Sequence, residues 1–214
     1  MIAAIIFDMD GVLVDSEPFH EEIEKRQFSL NNLTITREEH SKYLGVATDA
    51  MWMDIKERHH LSLPVEELIE QNRNESYRLF AELNEIPTIP GIANLLEKLS
   101  AKNYLMAVAS SNFPEIIELM LEKTGMRKYF KFVVSTQEAG KSKPAPDVYL
   151  LAAQKLGVKP ENCLVVEDSQ NGIKAAKSAG MIVVAYQGPF TNPQSQREAD
   201  SVITQYNQLE MILF

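Results

Sequence analysis

Apolar residues follow two rhythms along the chain. Ile2 to Phe7 is a continuous apolar run rich in isoleucine, as expected of a strand buried on both faces of a parallel sheet. It stops at Asp8-Met9-Asp10-Gly11, a turn-like cluster. From Phe19 to Phe80 the pattern is polar, poor in glycine and helical in period. Thr36 and Glu39 have the spacing of a capping box. Thr48 can cap a segment running through Met51, Trp52 and Ile55, and Pro64 suits the first turn of a long helix reaching about Leu83. Met51, Trp52 and Met53 read as packing residues of this block, with Trp52 or Tyr43 as the alternative pocket-lining residues.

Beyond Leu83 the two rhythms alternate. Helical spacing covers Ile92 to Leu99, Pro114 to Lys123, Pro146 to Leu156 and Gly172 to Ser178, and a short helix closes the chain at Phe214. Strand-like runs cover Tyr104 to Ala109, Phe132 to Val134, Leu164 to Val166, Ile182 to Ala185 and Ser201 to Ile203. Gln187 to Arg197, with Gly188, Pro189 and Pro193, reads as a surface loop. Such alternation predicts an α/β fold, a doubly wound, Rossmann-like parallel sheet with helices on both faces. The predicted organisation is a core of residues 1–15 and 84–214 and a helical insert of residues 16–83. The length agrees: 214 residues correspond to about 1.4 ordinary domains.

Composition narrows the class. The chain is 45% hydrophobic and 24% charged, which excludes a disordered polymer. Its one cysteine, Cys163, excludes an intramolecular disulfide and a CxxC zinc site and fits a reducing, cytoplasmic setting. No apolar run approaches the length of a spanning helix, and the N-terminal run lacks the basic lead of a signal peptide. The net charge of −9 argues against nucleic acid or an anionic membrane as partner. A small anionic substrate stays compatible, because local charge decides there. A monomer or weak dimer is expected.

In open α/β sheets, ligands bind beyond the carboxyl ends of the strands. Those positions hold Asp8 and Asp10, then Ser110-Ser111-Asn112, then Lys143, then Glu167 and Asp168. Each has an ordinary reading alone: a turn aspartate, a helix cap, a solvated lysine. Together they place four carboxylates, a hydroxyl and an ammonium at one sheet edge. Crowded carboxylates raise one another's pKa unless a cation intervenes, and hard oxygen ligands favour Mg²⁺. Ser110, with neighbouring backbone N–H groups, can take anionic oxygen.

These residues carry a resemblance. The run Phe7-Asp8-Met9-Asp10-Gly11-Val12-Leu13-Val14-Asp15-Ser16 resembles the first motif of the haloacid dehalogenase superfamily. Ser110 matches the second, Lys143 in SKPAPDVY the third, and Glu167-Asp168-Ser169 with Gly172 the fourth. The insert resembles the helical cap of one subgroup. The resemblance implies that Asp8 is a nucleophile forming an aspartyl phosphate and that Asp10 is the general acid and then base. It implies Mg²⁺ held by Asp8, the carbonyl of Asp10 and Asp168, with Glu167 in or beside that shell. Ser110, Ser111, Asn112 and Lys143 would bind the phosphoryl group, with His20 at the hinge into the cap. Family members that cleave no phosphate ester lack an aspartate at the position of Asp10, so ester chemistry is favoured.

Two branches remain: phosphatases of small phosphorylated metabolites such as sugar phosphates, and β-phosphoglucomutase-like isomerases. The mutase pattern has a lysine just before a Gly-Val pair in the cap loop and an arginine shortly after it. Here Leu44 and Thr48 stand at those places around Gly45-Val46, and losing a bidentate arginine at a phosphate site is not conservative. Lys42 and Arg73 are the cations left to substitute. The phosphatase reading is therefore preferred.

Overall fold

The first apolar run becomes β1, Ala4–Phe7, with every residue buried. The computed structural model of the chain describes residues 2–43, 46, 48–189, 191 and 196–214. The other strands are β2 Leu105–Ser110, β3 Phe132–Ser135, β4 Cys163–Glu167, β5 Ile182–Tyr186 and β6 Ser201–Ile203. They form one six-stranded sheet in the order β3-β2-β1-β4-β5-β6, and every adjacent pair is parallel. The expected doubly wound α/β fold is therefore present. The chain builds outward from β1 to β3, then returns to lay β4 against the other side of β1. That reversal opens a crevice between the ends of β1 and β4.

The helices are α1 Glu17–Leu30, α2 Arg37–His40, α3 Thr48–His59, α4 Val65–Glu82, α5 Ile92–Ala101, α6 Pro114–Lys123, α7 Thr136–Ala139, α8 Asp147–Leu156, α9 Gln170–Ser178 and α10 Tyr206–Leu213. Two compact units result: Met1–Ser16 with Glu85–Phe214, and Glu17–Asn84. In the first unit, α8 and α9 press Val148, Ala152, Ile173 and Ala176 onto Ala4, Ile6, Ala107, Val165 and Val183 of the strands. On the alternate face, Phe7 meets the edge of Phe130 with ring centroids 6.0 Å apart. Small residues where the helices cross the sheet allow close approach. At Gly172 of α9 a Cβ atom would lie 1.5 Å from Oε1 of Glu167, so only glycine fits over the end of β4.

In the second unit, Phe28, Tyr43, Met51, Trp52, Ile55 and Leu68 form the core. Trp52 is fully buried and Tyr43 nearly so, so both act here as packing residues. Met53 departs from expectation: it is 51% exposed, because the period that buries Met51, Trp52 and Ile55 turns it outward. Gln27, also fully buried, joins α1 to α4 by donating to the Leu68 carbonyl at 2.5 Å and accepting from Asn72 at 3.1 Å. Thr36 does cap α2, accepting from the Glu39 N–H at 3.1 Å. The Glu39 carboxylate, however, meets His59 Nε2 at 2.7 Å, so the expected box is half made.

Within the first unit, α7 was not legible as a helix; Ser135 caps it, accepting from the Glu138 N–H at 3.2 Å. Among the described residues no helix is long and apolar enough to cross a membrane. The free thiol of Cys163 is buried, and burial pushes it up to about 11, out of nucleophilic range at neutral pH.

Two measurements follow. Gly172→Ala is expected to cost about 1–3 kcal/mol in urea unfolding, because the new methyl must displace a buried carboxylate; an unchanged midpoint would refute that packing. The second concerns His40, which pairs with Glu24 and packs its ring edge on Phe28 at 5.7 Å. The Glu24 hydrogen bond holds His40 above its ordinary value of 6.5 against the opposing effect of burial, and Glu21 adds to the rise. A raised folded value stabilises below about pH 6.5 and loses that contribution as pH climbs through the folded value. The wild-type urea midpoint should therefore fall across that window more steeply than that of His40→Gln; equal slopes would contradict the pairing.

Candidate active site

The turn after β1 is wound tightly. The Leu13 and Val14 N–H groups both donate to the Met9 carbonyl, at 2.8 and 3.1 Å, and the Gly11 N–H donates to Val14 at 2.9 Å. Met9, Val12, Leu13 and Val14 are fully buried, so apolar side chains pin the turn and hold its polar members at the crevice. Gly11 has φ +75°, and a Cβ there would lie 2.2 Å from Asp168 Oδ2. Glycine is thus required for the turn and for letting the post-β4 aspartate approach.

Lys143 sits at the centre. Its ammonium donates to Asp8 Oδ1 at 2.6 Å, Glu167 Oε1 at 2.8 Å and the Ala109 carbonyl at 3.2 Å. The residue is 8% exposed and Asp8 7%, while Glu167 is wholly buried. The lysine is therefore no solvated surface residue. Burial alone would lower its pKa, but the facing carboxylates of Asp8 and Glu167 hold it well above its usual range. Burial pushes Asp8 up; Lys143 pulls it back, while Glu167 and Asp10 push it further, to about 7. Asp168 is likewise raised, by burial first and then by Glu167 and Asp8.

The carboxylates of Asp8, Glu167 and Asp168 offer oxygens that all lie within 4.8 Å of one another. Lys143 brings one positive charge to three potential negative ones, and burial first, then the neighbouring carboxylates, raise Asp8 and Asp168. A divalent cation with a taste for hard oxygen fits this set. Glu167 is the most heavily engaged of the three. Its Oε2 accepts from the N–H groups of Asp168 and Ser169, each at 2.7 Å, and from the Ser169 hydroxyl at 3.0 Å. Its Oε1 takes Lys143 and the Tyr149 hydroxyl, the latter at 3.0 Å.

Asp10 is treated differently. Its Oδ1 accepts from the Ser16 hydroxyl, and the Asn112 amide reaches its Oδ2 at 3.4 Å. Two aspartates two residues apart thus have distinct settings: one against an ammonium, the other against a hydroxyl. Ser110 ends β2 fully buried, its Oγ accepting from the Asn112 N–H at 3.0 Å. It does not cap α6, whose preceding residue is Phe113. Ser111 is exposed, and its carbonyl accepts from Gln137 at 3.4 Å. Nor does Glu167 or Asp168 cap α9; that task falls to Ser169, which accepts from the Gly172 N–H at 3.1 Å.

In the helical unit, His20 packs against Phe80 with ring centroids 5.8 Å apart. Leu44 lies outside the described residues; Thr48 opens α3, and Arg73 faces Glu70 at 3.8 Å. Sequence reasoning missed Ser16 and Tyr149 as site residues. Ser16 stood in the first motif and Tyr149 in the third, but a hydroxyl contact leaves no periodic trace.

Comparison with known proteins agrees with this geometry. The profile of the haloacid dehalogenase-like hydrolases matches residues 5–186. A phosphorylated carbohydrates phosphatase of Thermotoga maritima is 33% identical over 83% of this chain and 82% of its own. A β-phosphoglucomutase of Bacillus subtilis is 30% identical over 98% and 92%. The crystal structure of a D10N mutant of CbbY from Rhodobacter sphaeroides, in complex with xylulose-(1,5)bisphosphate, superposes with a TM-score of 0.87 at 27% identity, covering 98% and 96% of the two chains. With the motifs in order at one sheet edge and the profile spanning most of its length, the chain belongs to the haloacid dehalogenase-like hydrolase family.

Proposed function

We propose that the chain is a Mg²⁺-dependent phosphatase of small phosphorylated metabolites, sugar phosphates foremost, working through an aspartyl phosphate on Asp8. The observation that carries this reading is the paired setting of the two aspartates: Asp8 against the Lys143 ammonium at 2.6 Å, Asp10 against the Ser16 hydroxyl. A carboxylate drawn toward its anionic form by a cation suits nucleophilic attack on phosphorus. A carboxyl at the crevice that accepts a hydroxyl hydrogen bond can carry a proton to the leaving alcohol and then take one from water.

Asp8, Asp168 and the Asp10 carbonyl would hold Mg²⁺, with Glu167 in or beside that shell. The ion's chemistry when bound is to neutralise charge on phosphate oxygens and draw the raised carboxylates back to their anionic forms. Phosphoryl transfer rests mainly on positioning and charge neutralisation. Lys143 supplies a fixed charge for the transferring group, and Ser110, Ser111 and Asn112 supply a hydroxyl, N–H groups and an amide at the end of β2. Residues 16–83, His20 among them, are proposed as a helical cap that selects the leaving group. The relatives' names support phosphorylated carbohydrates as substrates. The single buried thiol fits placement in the cytoplasm.

A mutase is the second reading, favoured by the 30% identity to β-phosphoglucomutase and disfavoured by Leu44 and Thr48 in the loop where that pattern has cations.

A panel of phosphorylated metabolites, scored for both released phosphate and conversion of β-glucose 1-phosphate to glucose 6-phosphate, separates the two. Release should dominate, stop on chelation with EDTA and return with Mg²⁺; dominant isomerisation would favour the mutase, and turnover without metal would refute the cation's role. Asp8→Asn should lower turnover on the order of 10³-fold or more with folding retained. Asp10→Asn should lower it about 10²–10⁴-fold. Substantial release from Asp8→Asn would sink the nucleophile assignment.

A further inference from the structure

The segment Gln187 to Arg197 reads in sequence as a surface loop, yet Gln196 is only 1% exposed. Its Nε2 donates to two backbone carbonyls, that of Asp168 at 3.2 Å and that of Tyr186 at 2.8 Å. The reverse amide orientation would set oxygen against both carbonyls, so the partners fix which end is which. Tyr186, at the end of β5, stacks its ring on Tyr206 at 4.9 Å and 15°. Tyr206, itself 2% exposed, donates its hydroxyl to the Val12 carbonyl. Val12 belongs to the turn that carries Asp8 and Asp10.

These contacts join end to end. They run from the Asp168 carbonyl through the Gln196 amide to the Tyr186 carbonyl, then from the Tyr186 ring to the Tyr206 ring, and finally to the Val12 carbonyl. The two acid-bearing loops, after β1 and after β4, are thereby tied to one another by residues from neither. The Asp168 backbone is held at both ends, its N–H by Glu167 at 2.7 Å and its C=O by Gln196. Where Gly11 approaches the Asp168 carboxylate so closely that a Cβ would lie 2.2 Å from Oδ2, a small shift of either loop moves one acid against the other.

We propose that Gln196, Tyr186 and Tyr206 form a positioning brace that sets the separation of the Asp8 and Asp168 loops and so the affinity of the site for its divalent cation. None of the three is a catalytic residue; each acts through the backbone of a loop that carries an acid. The proposal rests on the reading of Asp8 and Asp168 as Mg²⁺ ligands. Partners that orient metal ligands in this way commonly shift metal affinity 10–100-fold, by order of magnitude.

The test is a double-mutant cycle on Mg²⁺ binding, measured by calorimetry on the full chain without substrate. Gln196→Met removes the two donated hydrogen bonds at nearly constant volume. Tyr206→Phe keeps the ring stack and removes only the hydroxyl on Val12, so it is the milder change should the first fail to fold. Each single variant, folded by circular dichroism, should bind Mg²⁺ about 10-fold more weakly. The pair together should lose markedly less than the product of the single losses, since one broken link already releases the brace. Tyr104→Phe, which removes a hydroxyl 3.4 Å from the Leu213 carbonyl at the far end of α10, should keep wild-type affinity. Wild-type affinity in the brace variants, multiplicative losses, or an equal loss in Tyr104→Phe would each overturn the proposal alone. A wild-type chain that binds no Mg²⁺ would overturn the metal reading and the brace with it.

Discussion

The buried ammonium of Lys143 is the interaction on which the carboxyl ends of the strands depend. It touches Asp8 and Glu167 together and lies 4.9 Å from the centre of the Tyr149 ring. Removing one partner from a buried ion pair strands the other, at about 3–5 kcal/mol. Here the lysine has two such partners, so its loss would leave two buried carboxylates facing one another. One cation does not balance the cluster, however. Asp8 is still pushed up to about 7 and Asp168 is raised by burial and by its neighbours. The site is thus short of positive charge, which a divalent cation would supply.

The sheet topology brings these groups together. Because β4 returns to lie beside β1, residues about 160 positions apart in the chain face one crevice. Two glycines then permit contact closer than any side chain would allow, Gly11 over the Asp168 carboxylate and Gly172 over Glu167. The acid loops are therefore placed by backbone approach as much as by side-chain pairing. The carbonyls of Val12 and Asp168, and not the carboxyl groups alone, accordingly accept side-chain hydrogen bonds.

Much of this was legible in the residues, and the part that was not has a physical cause. The six strands could be read because each is a short apolar run, although β6 at the sheet edge leaves Val202 exposed; Ser201–Ile203 was placed to the residue and the others within two residues. Asp8, Asp10, Ser110, Glu167 and Asp168 were candidates because strand ends in such sheets are the places to look; Lys143, beyond α7, was a candidate through its motif. Partners that act through a single hydroxyl or amide were invisible. Ser16, Tyr149, Tyr206 and Gln196 are common residue types at positions with no periodic signature, and Gln196 sits in a segment whose glycine and prolines suggest exposure. The short α7 escaped because four residues carry too little period to be told from a turn, and Met53 because adjacency to Trp52 outweighed its phase on the helix.

The central claim is that the Asp8 carboxylate, held by Lys143, attacks phosphorus. The most direct measurement is an acid quench during turnover of a substrate labelled in its phosphoryl group, followed by peptide mapping of the trapped label. The account predicts label on the peptide containing Asp8, at Asp8 itself, and none when Asp8→Asn is treated the same way. Label on Asp10, Asp168 or Glu167, or phosphate released at full rate with no residue ever labelled, would contradict it.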